Sequence, residues 1–171
     1  GSPVTQATLD VFWRLRAEYD NVGIVLQAYL MRSEDDAKKA AEAGAPVRIC
    51  KGTYKEPPTI AFPTKEQVNE NYLKLAKILL LGKGHVAIAT HDRKMINPLR
   101  QFIAQNDIPK ERYEWQMLYG IERGLQKELA KEGEPVRISV PYGTDWFGYS
   151  TRRMIERKEN FFFVMKHFLR G

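Results

Sequence analysis

The chain is short of cysteine, histidine and long apolar runs, and each shortage closes off some chemistry. Cys50 is its only cysteine, so no internal disulfide can form and a reducing compartment is the expectation. His85, His91 and His167 stand far apart, with no cysteine at metal-ligand spacing, so no metal site is expected. The densest apolar patch, Leu79-Leu80-Leu81, is closed by glycine and lysine and falls far short of the roughly 20 residues of a membrane span. No G-x-G-x-x-G follows a strand. Gly82-Lys-Gly84 precedes one, so a dinucleotide-binding fingerprint is lacking. Low-complexity segments and a signal peptide are missing too, and the chain opens Gly1-Ser2-Pro3 rather than with Met. The expectation is an artificial start or a missing upstream segment. With 171 residues, the chain is also too short for an ordinary complete (β/α)₈ barrel, which takes about 250.

What is present reads as one globular domain, residues 1–171, with 43% hydrophobic residues and 28% charged ones. The net charge is +6, but the 27 basic residues are scattered among 21 acids without a long basic run. A solvated surface explains this better than a nucleic-acid partner, and none is expected.

Short apolar runs alternate with helical periodicity. Strands are expected over Val22–Leu30, Val47–Cys50, Val86–Ala89, Tyr113–Leu118 and Val136–Val140. Helices are expected near Thr5–Glu18, from an N-capping Ser33 to Gly44, after a Thr64/Gln67 capping box, over Met95–Gln105, over Gly120–Lys131, and near Trp146–Arg157. Strict alternation implies a parallel sheet with crossover helices, and the apolar strands suggest cover on both faces. An open doubly wound sheet and part of a barrel both fit. Polar residues at the strand ends (Gln27, Arg48 and Lys51, Thr90-His91, Gln116, Ser139) favour the barrel, whose active face collects residues from many strands.

Several of these residues carry two readings. Arg48, inside an apolar strand, needs either a carboxylate from a neighbouring strand or an anionic ligand. Lys51 is a solvent-facing lysine or a Schiff-base nucleophile, and Gly52 allows close backbone approach to a ligand. His91 is a satisfied structural histidine, a ligand contact or an acid-base group. Gln27 suits the edge of a heterocycle or a backbone partner. Tyr149, Arg152 and Glu156 share a helical face, and Arg152 with Arg153 could grip a carboxylate or form a solvated basic surface.

Taken in order, Val25-Leu-Gln-Ala-Tyr29, Val47-Arg-Ile-Cys-Lys-Gly-Thr-Tyr54, Ala89-Thr-His91, Tyr113-Glu-Trp-Gln-Met-Leu-Tyr-Gly120, Val140-Pro-Tyr-Gly143 and Tyr149-Ser-Thr-Arg-Arg-Met-Ile-Glu-Arg157 span nearly the whole chain. Together they resemble the proline dehydrogenase family, both its monofunctional bacterial enzymes and the matching domain of PutA flavoproteins. The resemblance implies an α/β fold: the last five strands and six helices of a distorted (β/α)₈ barrel, its N-terminal strands missing here. It implies noncovalent FAD, oxidation of L-proline to Δ1-pyrroline-5-carboxylate, and electrons passed to a membrane quinone. The expected location is the cytoplasm, peripheral to the bacterial inner membrane.

By that resemblance Arg48 lies beside flavin N5 and is the catalytic residue. Gln27, Cys50, Lys51, Gly52, Thr53, Thr90 and His91 contact the cofactor, as does Glu156, which also orients an arginine. Arg152 and Arg153 bind the proline carboxylate, while Tyr54 and Tyr149 pack on its ring. Ser139 stands where some members have Tyr, leaving room for 4-hydroxyproline, and Cys50 replaces the usual Val. The Lys and Asp that the family takes from two earlier strands are absent from this sequence, which leaves three alternatives: another chain supplies them, a symmetry mate does, or nothing does. Two rival readings are a catalytically incomplete FAD- or carboxylate-binding fragment and a Schiff-base lyase using Lys51.

Overall fold

The computed structural model describes residues 2–144 apart from Thr53 and Lys55. Among them lie α1 (Thr5–Arg16), β1 (Ile24–Gln27), α2 (Ser33–Glu42), β2 (Val47–Cys50), α3 (Lys65–Leu81), β3 (Val86–Ala89), α4 (Arg93–Gln105), β4 (Tyr113–Leu118), α5 (Arg123–Lys131) and β5 (Val136–Ser139). The helix expected near Trp146–Arg157 falls outside the described residues. β1 is shorter than its apolar run, because the chain turns immediately after Gln27.

All neighbouring strands pair in parallel, and their spatial order is their sequence order, β1-β2-β3-β4-β5. A doubly wound sheet reverses its order at a switch point and places helices on both faces. This sheet does neither. Ile24, Leu26, Val47, Ile49, Val86, Ile88, Tyr113, Trp115 and Met117 turn to one face and join residues of all five helices in a single buried cluster. The alternate residues turn to the other face, where Val25, Arg48, Arg137 and Ser139 are exposed.

The expectation of strands covered on both faces is therefore corrected: among the described residues only one face carries helices. The period of two shows in the burial of β1, β2, β4 and β5, and the polar members Arg48, Glu114, Gln116 and Arg137 share the open side.

Local signals account for the helix starts unevenly. Thr64 accepts from the Gln67 amide at 3.3 Å while Gln67 Oε1 accepts from the Thr64 amide at 3.3 Å, so the capping box forms as expected. Ser33 does not cap α2. It is the first helical residue, and its hydroxyl donates to the Gln27 carbonyl at 2.7 Å, tying α2 to the end of β1. Asp92 caps α4, its carboxylate accepting from the Lys94 amide at 2.9 Å.

The N-terminal end of the sheet is closed tightly. Gly84 sits where an added Cβ would lie 2.1 Å from the Ala45 carbonyl oxygen. Arg112, just before β4, donates to the carbonyls of Gly82 at 2.6 Å and Gly84 at 2.8 Å.

Candidate functional site

The polar residues of the open face and those at the C-terminal strand ends form three small constellations. The first crosses the sheet. Arg48 on β2 donates through Nε to Gln116 Oε1 on β4 at 2.7 Å, and Gln116 Nε2 donates to Glu114 Oε1 at 2.7 Å. Arg137 on β5 donates to the same carboxylate at 2.8 and 2.9 Å. Between β2 and β4 runs β3, where Ala87 is in register with Arg48 and Glu114, and Ala89 with Gln116. Adjacent strands stand about 4.8 Å apart, so Arg48 must reach over a whole strand, and the two alanines leave its path clear.

Neither alternative expected for Arg48 describes this arrangement fully. The residue is exposed rather than buried, and its partner is an amide, not a carboxylate. The carboxylate on the neighbouring strand, Glu114, is taken by Arg137, whose bond holds its carboxyl below the usual range; burial opposes this and Gln116 assists.

The second constellation sits at the end of β2. Lys51 Nζ lies 2.8 Å from the Asp92 carboxylate, the same side chain that caps α4. Burial raises the Asp92 carboxyl, but bonds from Lys51 and the Lys94 amide outweigh it and the net shift is downward. Gly52 follows with φ +89°, and a Cβ there would lie 2.1 Å from the Tyr29 ring. Gly52 thus packs its backbone against an aromatic ring of this chain. The following loop returns to the end of β1, where Phe62 donates to the Tyr29 carbonyl at 2.8 Å. Tyr54 lies exposed in that loop, while Thr53 is outside the described residues.

The third constellation ends β3. Thr90 is buried and its hydroxyl accepts from the Asp92 amide at 3.1 Å. His91 Nε2 accepts from the Leu118 amide at 2.8 Å. An imidazole that accepts through Nε2 is neutral and carries its proton on Nδ1. Burial favours the same state by pushing its pKa down, against a weaker opposing pull from Glu122. His91 is held as a hydrogen-bond donor through Nδ1, which disfavours the acid-base role.

Of the remaining expected site residues, Gln27 is half-buried at the end of β1 and Ser139 is exposed at the end of β5. The Cys50 thiol donates to the Leu26 carbonyl at 3.7 Å, and its pKa is raised by burial against the pull of Arg48. Beneath this end, the Tyr72 hydroxyl is fully buried without a hydrogen-bond partner among the described residues. Tyr149, Arg152, Arg153 and Glu156 lie outside the described residues. Sequence reasoning gave no role to Asp92, Glu114 or Arg137. For Glu114 and Arg137 the signal was the period of two, which puts them on one face with Arg48 and Gln116; for Asp92 it was an acid placed to cap the helix after β3.

A singly wound parallel α/β sheet with its polar groups on the open face and at the C-terminal strand ends defines a class of proteins that bind ligands at that end. The family model for proline dehydrogenase matches residues 2–166, and the chain belongs to that family. It is 43% identical over 165 residues to proline dehydrogenase 1 of Bacillus subtilis subsp. natto, covering 96% of this chain and 55% of that protein. It is 42% identical over 166 residues to proline dehydrogenase of Deinococcus radiodurans, covering 96% and 54% respectively. Among solved structures, proline utilization A from Bdellovibrio bacteriovorus, inactivated by N-propargylglycine, matches 82% of this chain and 17% of its own, with TM-score 0.74 and 32% identity. The chain spans about half the length of the curated relatives it matches.

The family implies FAD, and the donor chemistry of this end fits it. A flavin nucleotide offers acceptors: phosphates, ring carbonyls and ring nitrogens. Arg48, Lys51 and the Nδ1–H of His91 are donors, two of them cationic.

Proposed function

We propose that the chain is the C-terminal part of one (β/α)₈-type barrel domain that oxidises L-proline to Δ1-pyrroline-5-carboxylate with FAD. The match to the family across residues 2–166 carries this reading, and the donor set on the open face supports it. FAD, when bound, would supply the oxidising chemistry, a two-electron hydride acceptor for proline, and a quinone would take up the electrons. Arg48 would lie against the flavin ring and stabilise the negative charge gained on reduction. Lys51, kept in place by Asp92, and His91, kept neutral by the Leu118 amide, would hold and orient the cofactor. Arg152 and Arg153 would bind the proline carboxylate, with Tyr54 and Tyr149 excluding water from the reacting carbon.

A preceding segment, on this chain's own polypeptide or another, would complete the barrel and bring the family's Lys and Asp. A cytoplasmic protein peripheral to the bacterial inner membrane would meet the quinone. No helix among the described residues is long and apolar enough to cross a membrane. Ser139, exposed at the end of β5, would leave space for a ring hydroxyl. Ser139→Tyr should therefore lower kcat/KM for 4-hydroxyproline relative to proline, and an unchanged ratio refutes that role.

The deciding experiment is an anaerobic flavin spectrum of the purified chain with added FAD, before and after proline. Bleaching supports the oxidation, whereas a bound flavin that stays oxidised selects the incomplete cofactor-binding fragment. The Schiff-base reading loses ground on geometry, since Lys51 Nζ is engaged with the Asp92 carboxylate at 2.8 Å rather than presented to a carbonyl carbon. Borohydride trapping of a carbonyl substrate on Lys51 would restore it.

A further inference from the structure

At this end of the sheet Lys51 meets Asp92 and Arg137 meets Glu114, yet Arg48 meets an amide. That choice has a chemical consequence. An amide carries a donor at one end and an acceptor at the other, so Gln116 can satisfy Arg48 only in one of its two orientations. Glu114 fixes which. As an anion it can only accept, so it draws the Gln116 NH₂ at 2.7 Å and leaves Oε1 facing Arg48 Nε. Arg137 keeps Glu114 ionised, its bond being the main cause of the lowered carboxyl pKa. Gln116 thereby aims an acceptor at Arg48, and among the described residues no carboxylate pairs with that guanidinium. Ala87 and Ala89 keep the crossing over β3 unobstructed.

We propose that Gln116, oriented by the Glu114–Arg137 pair, is a positioning residue that holds Arg48 by Nε while leaving its positive charge uncancelled for an anionic cofactor on the open face. The inference rests on the flavin reading, in which that anion is the isoalloxazine ring as it gains electrons. A carboxylate at 116 would hold the same Nε and neutralise it. A residue of similar bulk without an amide would leave the charge and release the hold.

Two measurements on the purified chain test this. The first needs no cofactor: solvent exchange of the Arg48 Nε proton, followed by NMR. Exchange should quicken about tenfold in Gln116→Met, and also in Glu114→Gln, where the amide at 116 is freed to turn over. The second is FAD affinity and the midpoint potential of the bound flavin. Gln116→Met should bind FAD about tenfold more weakly. Gln116→Glu should keep the proton protected and lower the potential. Equal exchange rates in wild type and Gln116→Met overturn the hold, and an unchanged potential in Gln116→Glu overturns the charge argument. A wild type that binds no FAD brings down the flavin reading and this use of the relay with it. A wild type that binds FAD, with variants that match it, brings down the positioning role alone.

Discussion

Arg112 and Arg48 belong to the same sheet and are treated in opposite ways. Arg112, at the N-terminal end, is half-buried and spends its donors on the backbone carbonyls of Gly82 and Gly84. Arg48, on the open face, is exposed, and its Nε is held by the Gln116 side chain. Around Arg112 the backbone is packed so closely that glycine is required at position 84. Around Arg48 the neighbouring strand offers alanines and space. One end of the sheet is closed on itself, and the other keeps groups ready for something outside the chain.

That contrast can be broken at either end. The largest effect is expected at Gly84→Ala, because the new methyl meets a backbone carbonyl at 2.1 Å and neither can yield cheaply. A loss of about 3 kcal/mol in urea unfolding is expected, in the range of overpacked cores. Arg112→Met should follow with about 2 kcal/mol, since two carbonyls lose charge-assisted partners. A value near zero would mean that water replaces the guanidinium and that this end is less closed than described.

Arg48→Met should move stability by under about 0.5 kcal/mol, as exposed substitutions do, while weakening FAD binding about tenfold. Comparable stability losses in Arg48→Met and Arg112→Met would erase the distinction between the two ends. The smallest effect concerns His91. Its folded pKa is lowered, so its contribution is complete above the unfolded value of about 6.5 and is lost as pH falls through the folded value. Protonated Nε2 would face the Leu118 amide donor to donor. The stability of wild type should drop between pH 7.5 and 5.5 by up to about 1 kcal/mol more than that of His91→Gln, whose amide oxygen can accept without titrating. Parallel pH curves for the two proteins would remove His91 as the titrating group.

The closed side was the more legible in sequence. Apolar runs and periodicity, with the capping signals at Ser33 and Thr64, located the five described strands and five described helices, because burial on one face writes itself into every second or every third and fourth residue. It misjudged the second face. Val25, Ala87, Ala89 and Leu118 make the open side look apolar in a one-dimensional reading, and only the register reveals that the polar residues share it.

Ser33 shows a similar limit. Its position suits a cap, yet the nearby Gln27 carbonyl takes the hydroxyl, a tertiary choice that no local pattern encodes. At the site, Arg48, Lys51 and His91 were visible as polar residues near strand ends. Their partners Gln116, Asp92 and the Leu118 amide come from other strands or connections, as far away as 68 residues for Gln116, and cannot be read before the strands are paired.

The sequential strand order has a consequence for how the chain is made. Ile24 pairs with Val47, Val47 with Val86, Val86 with Tyr113, and Trp115 with Val136, so each strand's register partner lies on the strand just synthesised. Among the described strands, each pairing joins sequence neighbours. Each strand–helix unit can dock on its predecessor as it leaves the ribosome, which keeps loop-closure costs low and makes assembly a vectorial process running from β1 to β5.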